Sequence, residues 1–270
     1  MLVFLINQTK YVSIPSLIEA QVVHVDTSLY SITKYIYQGT DSIPSDTFYI
    51  RREEFRQEAN DFLEILDLSL AKNAKRFNES AVRMCMPEVP ENLFVEAIRK
   101  LVEIDSSWVP NKPGYSLYIR PYMFATDHWV GIKPSETYKF MILLSPVGNY
   151  YSEPVRVKIE NYYTRAAQGG VGRAKAAGNY GASMFPAKKA QDQSFHQLVW
   201  TDAAEHKYIE ESGTMNIVFQ INDTLITPSE EQDTILRGIT KRSILELAAE
   251  WGIKVEERKV SVQEIISALQ

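Results

Sequence analysis

The stretch GGVGRAKAAGNYGAS, residues 169–183, surrounds a single lysine, Lys175, with glycines and alanines. Two interpretations are open: a flexible surface turn with a solvated lysine, or a lysine that needs room because a group is attached to it. Lysine forms an imine when its amine can lose its proton, helped by burial or by a nearby cation such as Arg173. Lys175 is therefore a candidate for covalent chemistry, and other parts of the chain must supply its partners.

The composition is that of a globular protein, with 45% hydrophobic and 23% charged residues among 270. The net charge of -5 argues against nucleic acid as the main partner, because phosphate binding favours a basic surface. One cysteine, Cys85, and four scattered histidines indicate neither an internal disulfide nor a metal site. The apolar N-terminus MLVFLINQTKYV is too short for a membrane span or a signal-peptide core, so we expect no membrane partner and a cytoplasmic protein.

The chain is expected to form two domains, residues 1–146 and residues 147–270. Apolar periodicity in the first domain predicts strands and helices in this order: strands within 1–50, helices at 53–84 and 91–104, and strands at 116–126 and 138–146. The second domain is expected to follow with these elements: a strand at 155–160, a helix at 180–191, strands at 198–202, 207–211 and 216–228, a helix at 240–251, a strand after it, and a last helix from 261.

Two local sequence patterns add detail to the predicted structure of the second domain. The dipeptide Asn222-Asp223 predicts a hairpin turn, and Ser261 with Glu264 forms the pattern of a capping box. Mixed strands and helices in two halves indicate an α/β or α+β protein with a cleft between domains, which is where small-molecule sites usually lie.

The commonest biological imine partner of lysine is pyridoxal phosphate, and this cofactor has three further requirements. Its phosphate needs an arginine or a helix N-terminus, and the predicted helix in RGITKRSILELAAEWG begins near Ile239 and Thr240. Its ring nitrogen needs a carboxylate, and one of the adjacent strand residues Glu210 and Glu211 can face the cleft. Its ring oxygen needs a hydroxyl donor, which Tyr180 offers. Each signal alone is also typical of ordinary turns, capped helices and solvated side chains.

Three segments carry a resemblance in their order and separation: GGVGRAKAAGNYGAS, YIEESGTMN and ILRGITKRSILELA. They resemble the branched-chain amino acid aminotransferases, which are fold-type IV, class IV pyridoxal phosphate enzymes. The likeness includes KRFNESAVRMCMPEVPENLFVEAIRKLVEIDSSWVP and SLYIRPYMFATD and runs from about Asn73 to Gln270. It implies the two-domain fold of the D-amino acid aminotransferase-like enzymes, a cofactor-binding second domain, a cofactor cleft between the domains, and a homodimer with sites near its interface.

The resemblance also implies roles for single residues. Lys175 would form the imine with pyridoxal 5'-phosphate and carry the proton between the substrate α-carbon and the cofactor. Tyr180 would donate a hydrogen bond to the ring oxygen, and Glu211 would keep the pyridine nitrogen protonated. The phosphate would be bound by Arg76, Ile239 and Thr240.

On the substrate side, Thr214 would help to hold the carboxylate. Tyr118 and Arg120, in SLYIRP, would line the pocket, with an ion pair that supports the fold as an equal alternative for Arg120. The implied reaction is transamination of leucine, isoleucine and valine with 2-oxoglutarate, giving branched-chain 2-oxo acids and glutamate. An apolar pocket separates substrates that differ by one methylene by only about 1–3 kcal/mol, so all three should be accepted.

The sequence departs from the family pattern at three places. Residues 1–72 do not match, and LEILDLSLAK stands where an FRP motif usually precedes the Arg76 helix. An HYG…FEG-like motif, which normally contributes to the substrate pocket and the dimer contact, is not found. The sequence ends at Gln270, before the glycine–threonine turn that gives the family further phosphate and carboxylate donors. Arg237 stands where many members have proline.

These departures leave alternatives open. The chain could be a non-catalytic relative that keeps the cofactor cradle or only the fold, and would then be a binding or structural protein. It could also be another fold-type IV enzyme, such as a D-amino acid aminotransferase or an aminodeoxychorismate lyase. The segments SLYIRP and ESGTMN favour the branched-chain group over those two.

Overall fold

The computed structural model describes residues 2–6, 22–26, 31–38, 41–49, 69–112, 114–148, 150–151 and 154–269, with side chains described from residue 69 onward. The chain divides into two compact units, one of Met1–Lys10 with Ala71–Gln270 and one of Tyr11–Leu70. The predicted division into residues 1–146 and 147–270 stays a prediction. Of the helix predicted at 53–84, the part up to residue 68 lies outside the described residues, and the part from residue 69 to 83 is helical.

The unit Tyr11–Leu70 contains an antiparallel sheet of three strands, β2 (Val22–Asp26), β3 (Ser31–Gln38) and β4 (Asp41–Tyr49), in that order. The pairing of β3 with β4 shifts register between Lys34 and Tyr35, which marks a β-bulge. Strands rich in β-branched and aromatic residues were predicted in this part of the chain, and the sheet confirms them.

The other unit contains two four-stranded sheets and a hairpin. The first sheet has the order β1 (Leu2–Ile6), β10 (Asn216–Ile221), β11 (Thr224–Pro228) and β12 (Lys254–Arg258). The second sheet has the order β13 (Val260–Ser261), β9 (Tyr208–Ser212), β8 (Gln197–Thr201) and β7 (Val157–Ile159). The hairpin consists of β5 (Ser116–Ala125) and β6 (Tyr138–Val147), paired along their whole length.

Five α-helices of this part of the chain are described. They are α1 (residues 69–83), α2 (Glu91–Ile104), α3 (Ala177–Asp192), α4 (Ile239–Glu250) and α5 (Val262–Leu269). Helix α2 buries Phe94 and Ile98 from its predicted apolar stripe. The predicted cap of α5 is present, because the Glu264 N–H donates to Ser261 Oγ at 3.1 Å. The predicted turn between β10 and β11 has Asn222 at a φ of 53°, in the left-handed region that Asn tolerates.

The main core joins the two sheets. Strands of both sheets, together with α5, contribute the buried side chains Val199, Ile209, Ile217, Phe219, Ile226, Val260 and Ile265. Because β9 ends at Ser212 in one sheet and β10 begins at Asn216 in the other, residues 213–215 turn between the sheets. This turn brings the end of β9 to the rim of a cavity. The mixed α+β class predicted from the sequence is confirmed.

Candidate active site

The loop that carries Lys175 lies between β7 and α3, and we call residues 160–176 the lysine loop. Asn179, in the first turn of α3, donates from Nδ2 to the main-chain oxygens of Val171 at 2.9 Å and Ala174 at 2.8 Å. These hydrogen bonds hold the glycine-rich segment against the start of its own helix. The segment therefore has a defined conformation, which favours the second of the two interpretations of this stretch.

One glycine of the lysine loop is required by packing. A Cβ on Gly172 would overlap the Ala166 side chain and the main chain of Thr234. No other residue fits this approach. Gly172 therefore keeps the loop close to residue 234, and room for an attached group is not the reason for this glycine.

A cavity that is open to solvent on one side lies beside the lysine loop. It brings together four of the sequence-predicted site residues, Lys175, Tyr180, Glu211 and Thr214. Its remaining lining residues come from the lysine loop, α3 and the segments after β9 and before α4: Arg165, Gly172, Ala174, Asn179, Ser183, Gly213 and Leu236. Side chains from four separate parts of the chain thus converge on one space.

The amine of Lys175 lies in this cavity, 5.7 Å from the centre of the Tyr180 ring. The Lys175 side chain is exposed on the open side of the cavity, while the surrounding groups partly desolvate its amine. This desolvation, with the charges of Arg76 and Arg120, lowers the pKa of the Lys175 amine to about 8, against the opposing charge of Glu211. A lysine with such a pKa can act as a base or nucleophile near neutral pH.

Glu211 forms the buried end of the cavity. Its Oε1 accepts hydrogen bonds from the Leu236 N–H at 2.7 Å and from Asn216 Nδ2 at 3.5 Å. Its Oε2 lies 3.3 Å from Arg165 Nε, which makes no hydrogen bond. The carboxylate is therefore fixed through one oxygen and charge-paired through the other.

Burial raises the pKa of the Glu211 carboxyl to about 7, and the Arg165 charge, the Leu236 N–H and Lys175 act in the opposite direction. Its neighbour Glu210 lines a separate cavity with Tyr208 and Lys259. One member of the Glu pair therefore faces the cavity of Lys175, as the alternation of strand residues predicts.

Tyr180 stands on α3 and is half-buried. Burial and the negative charge of Glu211 raise the pKa of its phenol above the ordinary value. The hydroxyl therefore stays protonated at neutral pH and is available as a hydrogen-bond donor.

Arg76, on α1, reaches toward the start of α4. Its guanidinium donates to the main-chain oxygen of Arg237 at 3.4 Å and to Asn73 Oδ1 at 3.3 Å. Burial, and then the charge of Arg242, lower the pKa of Arg76. The group lies beside the first turn of α4, whose N–H groups lack partners within the helix.

Ile239 and Thr240 are the first two residues of α4 and are half-buried. The chain enters the helix through Gly238, where a Cβ would overlap the side-chain amide of Asn216. Asn216 in turn donates to the main-chain oxygen of Leu236 at 2.9 Å. The start of α4 is thus fastened to β10, the strand that follows the cavity turn.

The departure at Arg237 is accommodated by charge. Its guanidinium lies 3.7 Å from Glu230 and 4.0 Å from Glu79, and Glu230 also pairs with the buried Lys241 at 2.5 Å. An arginine before α4 therefore has acidic neighbours that a proline would leave unused.

Tyr118 and Arg120 lie on β5, outside the lining of the cavity. Arg120 donates from Nε at 3.0 Å and from its terminal nitrogen at 2.9 Å to the Tyr118 hydroxyl. Within the part of the chain that the structure describes, Arg120 has no ion pair, so the alternative of a fold-supporting ion pair is not favoured. From outside the cavity lining, its charge acts on both Lys175 and Tyr180 in the direction that lowers the pKa of each group.

Three residues of the site were missed by sequence reasoning: Arg165, Asn179 and Leu236. Arg165, in the lysine loop, pairs with Glu211 on β9, and Leu236 forms hydrogen bonds through its main-chain N–H and oxygen. Neither role leaves a periodic or motif signal. Asn179 is inside the quoted glycine-rich stretch and could have been found as a helix-start residue able to bind loop carbonyls.

The described residues contain neither a metal-ligand cluster nor a helix that could span a membrane. Among these residues, no three or more histidine, cysteine, aspartate or glutamate side chains are grouped as ligands for a metal ion. None of the described helices is both long and apolar enough to span a bilayer.

Comparison with known proteins connects this geometry to a family. The family model described as "Amino-transferase class IV" matches residues 64–269. Branched-chain-amino-acid aminotransferase 2 of Bacillus subtilis (strain 168) is 46% identical over 200 residues, which is 73% of this chain and 55% of that protein. The chain therefore spans about half the length of this curated relative. The resemblance stated from the sequence motifs is confirmed.

Solved structures with the same fold agree. The branched-chain amino acid aminotransferase of Escherichia coli is 25% identical with a TM-score of 0.61, covering 72% of this chain and 62% of that one. The enzyme of Thermobaculum terrenum in its PLP-bound holo form is 23% identical with a TM-score of 0.62, also covering 72% and 62%. The second likeness supports the fold alone. With a family model matching residues 64–269, the chain belongs to the class IV aminotransferases.

Proposed function

We propose that this chain carries the catalytic machinery of a pyridoxal phosphate-dependent branched-chain amino acid aminotransferase. It would transfer the amino group of leucine, isoleucine or valine to 2-oxoglutarate, giving branched-chain 2-oxo acids and glutamate. The observation that carries the proposal is one cavity lined by an amine of lowered pKa, a protonated phenol and a buried carboxylate. The relatives named above supply the amino-acid class.

The side chains fit the cofactor. Glu211 Oε2 receives no hydrogen bond from Arg165, so it can accept one from a protonated ring nitrogen. Tyr180 can donate to the ring oxygen. The phosphate would be held by Arg76 and by the first-turn N–H groups of Ile239 and Thr240, since a helix N-terminus favours an anion.

The bound cofactor would supply an electron sink for the substrate α-carbon. The chain would supply the rest. Lys175 Nζ, with its lowered pKa, would take the α-proton as general base and return it as general acid. Thr214 would hold the substrate carboxylate, and Tyr118 and Arg120 would border the side-chain pocket.

The partners proposed are therefore small amino acids and 2-oxo acids, together with a second copy of the chain as in a homodimer. The cytoplasm is the proposed location. The acidic charge and the lack of a long apolar segment in the sequence support these choices over a nucleic-acid or membrane partner.

The first experiment mixes the purified protein with pyridoxal phosphate, records the absorbance spectrum, and reduces with borohydride before peptide mass mapping. We expect a visible band and a cofactor adduct on Lys175, and neither in Lys175→Met. An adduct on other lysines only, or no band, would support the non-catalytic alternative and overturn the proposal.

The second experiment measures amino transfer from L-leucine, L-isoleucine and L-valine to 2-oxoglutarate, with D-alanine as the control donor. Activity with the three L-amino acids is expected. Activity with D-alanine alone would instead indicate the D-amino acid group of the same fold.

A further inference from the structure

Helix α1 contacts the lysine loop directly at Ser80. The Ser80 hydroxyl accepts a hydrogen bond from the Lys175 main-chain N–H at 3.0 Å and donates one to the main-chain oxygen of Arg76 at 3.0 Å. Ser80 is 9% exposed, so both hydrogen bonds are shielded from water. A single hydroxyl thus links the backbone of the lysine to the backbone of the arginine.

A second side chain of α1 holds the start of the glycine-rich segment of the loop. Arg83 donates to the main-chain oxygens of Gly169 at 2.9 Å and Gly170 at 3.0 Å. Because Ser80 and Arg83 are three residues apart, they project from the same side of the helix. Helix α1 therefore holds both the start of the glycine-rich segment and the main chain of Lys175 by hydrogen bonds.

We propose that Ser80 is a positioning residue that fixes the main chain of Lys175 and so sets where its amine can reach. The inference rests on the proposed function, because the position of Nζ matters most if Nζ moves a proton. Proton transfer needs the base within hydrogen-bond reach of its target, and a catalytic group must be held to within about 0.5 Å.

An ordinary structural role explains only one of the two hydrogen bonds of the Ser80 hydroxyl. Serines within helices commonly donate to the carbonyl four residues earlier, as Ser80 does to Arg76. In the other hydrogen bond, the Ser80 oxygen accepts from the N–H of Lys175, which is 95 positions away in the sequence. Without the Ser80 hydroxyl, the Lys175 N–H would lose this hydrogen bond, and a lost main-chain hydrogen bond in a shielded place is costly.

The test compares Ser80→Ala with the control Thr227→Val. Thr227 is 1% exposed and donates to the main-chain oxygen of Ile217 at 2.7 Å, in the core and outside the cavity lining. Both variants lose a buried hydroxyl, but only Ser80→Ala loses the contact with Lys175.

The first readout is hydrogen exchange of the Lys175 amide, resolved to single residues, without added cofactor. We expect exchange about tenfold faster in Ser80→Ala, matching the typical net worth of one hydrogen bond, and no specific change at this amide in Thr227→Val. Unchanged exchange in Ser80→Ala, or a rise spread equally over the whole chain in both variants, would overturn the proposal.

The second readout is the rate at which pyridoxal phosphate forms the borohydride-fixed adduct on Lys175. We expect a rate reduced about tenfold in Ser80→Ala and retained in Thr227→Val, in proportion to the exchange result. If the wild-type protein forms no adduct, the proposed function fails, while the exchange measurement still decides whether Ser80 holds Lys175. If the wild type reacts and Ser80→Ala reacts equally fast, the positioning role fails and the proposed function stands.

Discussion

The buried end of the cavity and the β5–β6 hairpin differ in how their side chains are supported. On β9, residues 209–212 are all buried, and Glu211 is held by hydrogen bonds and by the charge of Arg165. On β6, every second residue from 139 to 145 is exposed, including Met141 at 36% and Leu143 at 50%. Both segments are strands, but only one is enclosed by the described part of its own unit.

This difference shows how firmly the structure holds the side chains proposed for the cofactor and those proposed for the substrate. Side chains locked by packing and by hydrogen bonds keep a fixed geometry, whereas a strand face open to solvent leaves its side chains free to move. Of the groups proposed for the cofactor, Glu211 is fully enclosed, Tyr180 is half-buried and Lys175 is exposed at the open side of the cavity. Tyr118 and Arg120, proposed for the substrate, lie on the hairpin. We therefore expect substitutions in the two regions to have very different costs.

The largest effect is expected for Glu211→Gln, compared with Glu210→Gln. Removing the Glu211 charge leaves the buried Arg165 without its charge partner, which by itself should lower the free energy of unfolding by about 3–5 kcal/mol. Because burial raises the pKa of the Glu211 carboxyl, loss of its buried charge offsets part of this cost. Glu210 is buried, and desolvation raises the pKa of its carboxyl, so the neutral amide should cost less than about 1 kcal/mol. Urea unfolding at pH 8, where Glu211 is mostly ionised, measures both; equal costs would contradict this assignment of the charge pair.

A second comparison sets the core against the hairpin. Ile217→Ala removes a side chain that is 1% exposed and should cost about 2–5 kcal/mol. Leu143→Ala removes one that is half exposed and should change stability by no more than about 0.5 kcal/mol. Urea unfolding gives both values. A cost above 1 kcal/mol for Leu143→Ala, with a change in sedimentation, would mean that a second copy covers the hairpin in solution.

The smallest effect is expected from pH. The pKa of Lys175 falls from 10.5 to about 8 in the folded chain, so the unfolded chain binds more protons between these values. The free energy of unfolding should therefore rise with pH across this window through this group. Comparing the wild type with Lys175→Met at pH 8, 9 and 10 isolates the contribution, and identical slopes would contradict the lowered pKa.

The Glu211 carboxyl changes the free energy of unfolding with pH in the opposite direction. Its pKa rises from 4.5 to about 7, so its contribution to stability is present below 4.5 and is lost as the pH rises through 7. The two groups together predict a shallow minimum between their windows. In Glu211→Gln, the fall in stability between pH 4.5 and about 7 should disappear, while the rise between about pH 8 and 10.5 remains.

Much of the fold follows from local patterns. The helix predicted at 91–104 is Glu91–Ile104, and the hairpin predicted from Asn222-Asp223 joins β10 and β11. Each depends on residues close in sequence, whose spacing sets which face is apolar. The strand predicted at 155–160 is shorter in the structure, Val157–Ile159, because strand ends depend on pairing with a neighbour, here β8.

The site could be predicted only in part. Lys175, Tyr180, Glu211 and Thr214 were named from motifs, and they share one cavity. The pairing of Arg165 with Glu211 gave no signal, since a single charged residue before a glycine-rich turn is usually solvated. One of the two interpretations of the glycine-rich stretch was space for an attached group, but at Gly172 the approach of Thr234 shows that packing requires the glycine.

The sequence by itself determined the elements, their order, the family and the residues that could carry the chemistry. The tertiary structure decided which polar groups meet: Ser80 with Lys175, Arg165 with Glu211, and Arg76 with the entry to α4. Periodicity records the side of a helix or strand that is buried, but a hydrogen bond between distant segments depends on how those elements pack. The burial and neighbouring charges that shift the pKa values of Lys175 and Glu211 therefore exist only in the folded chain.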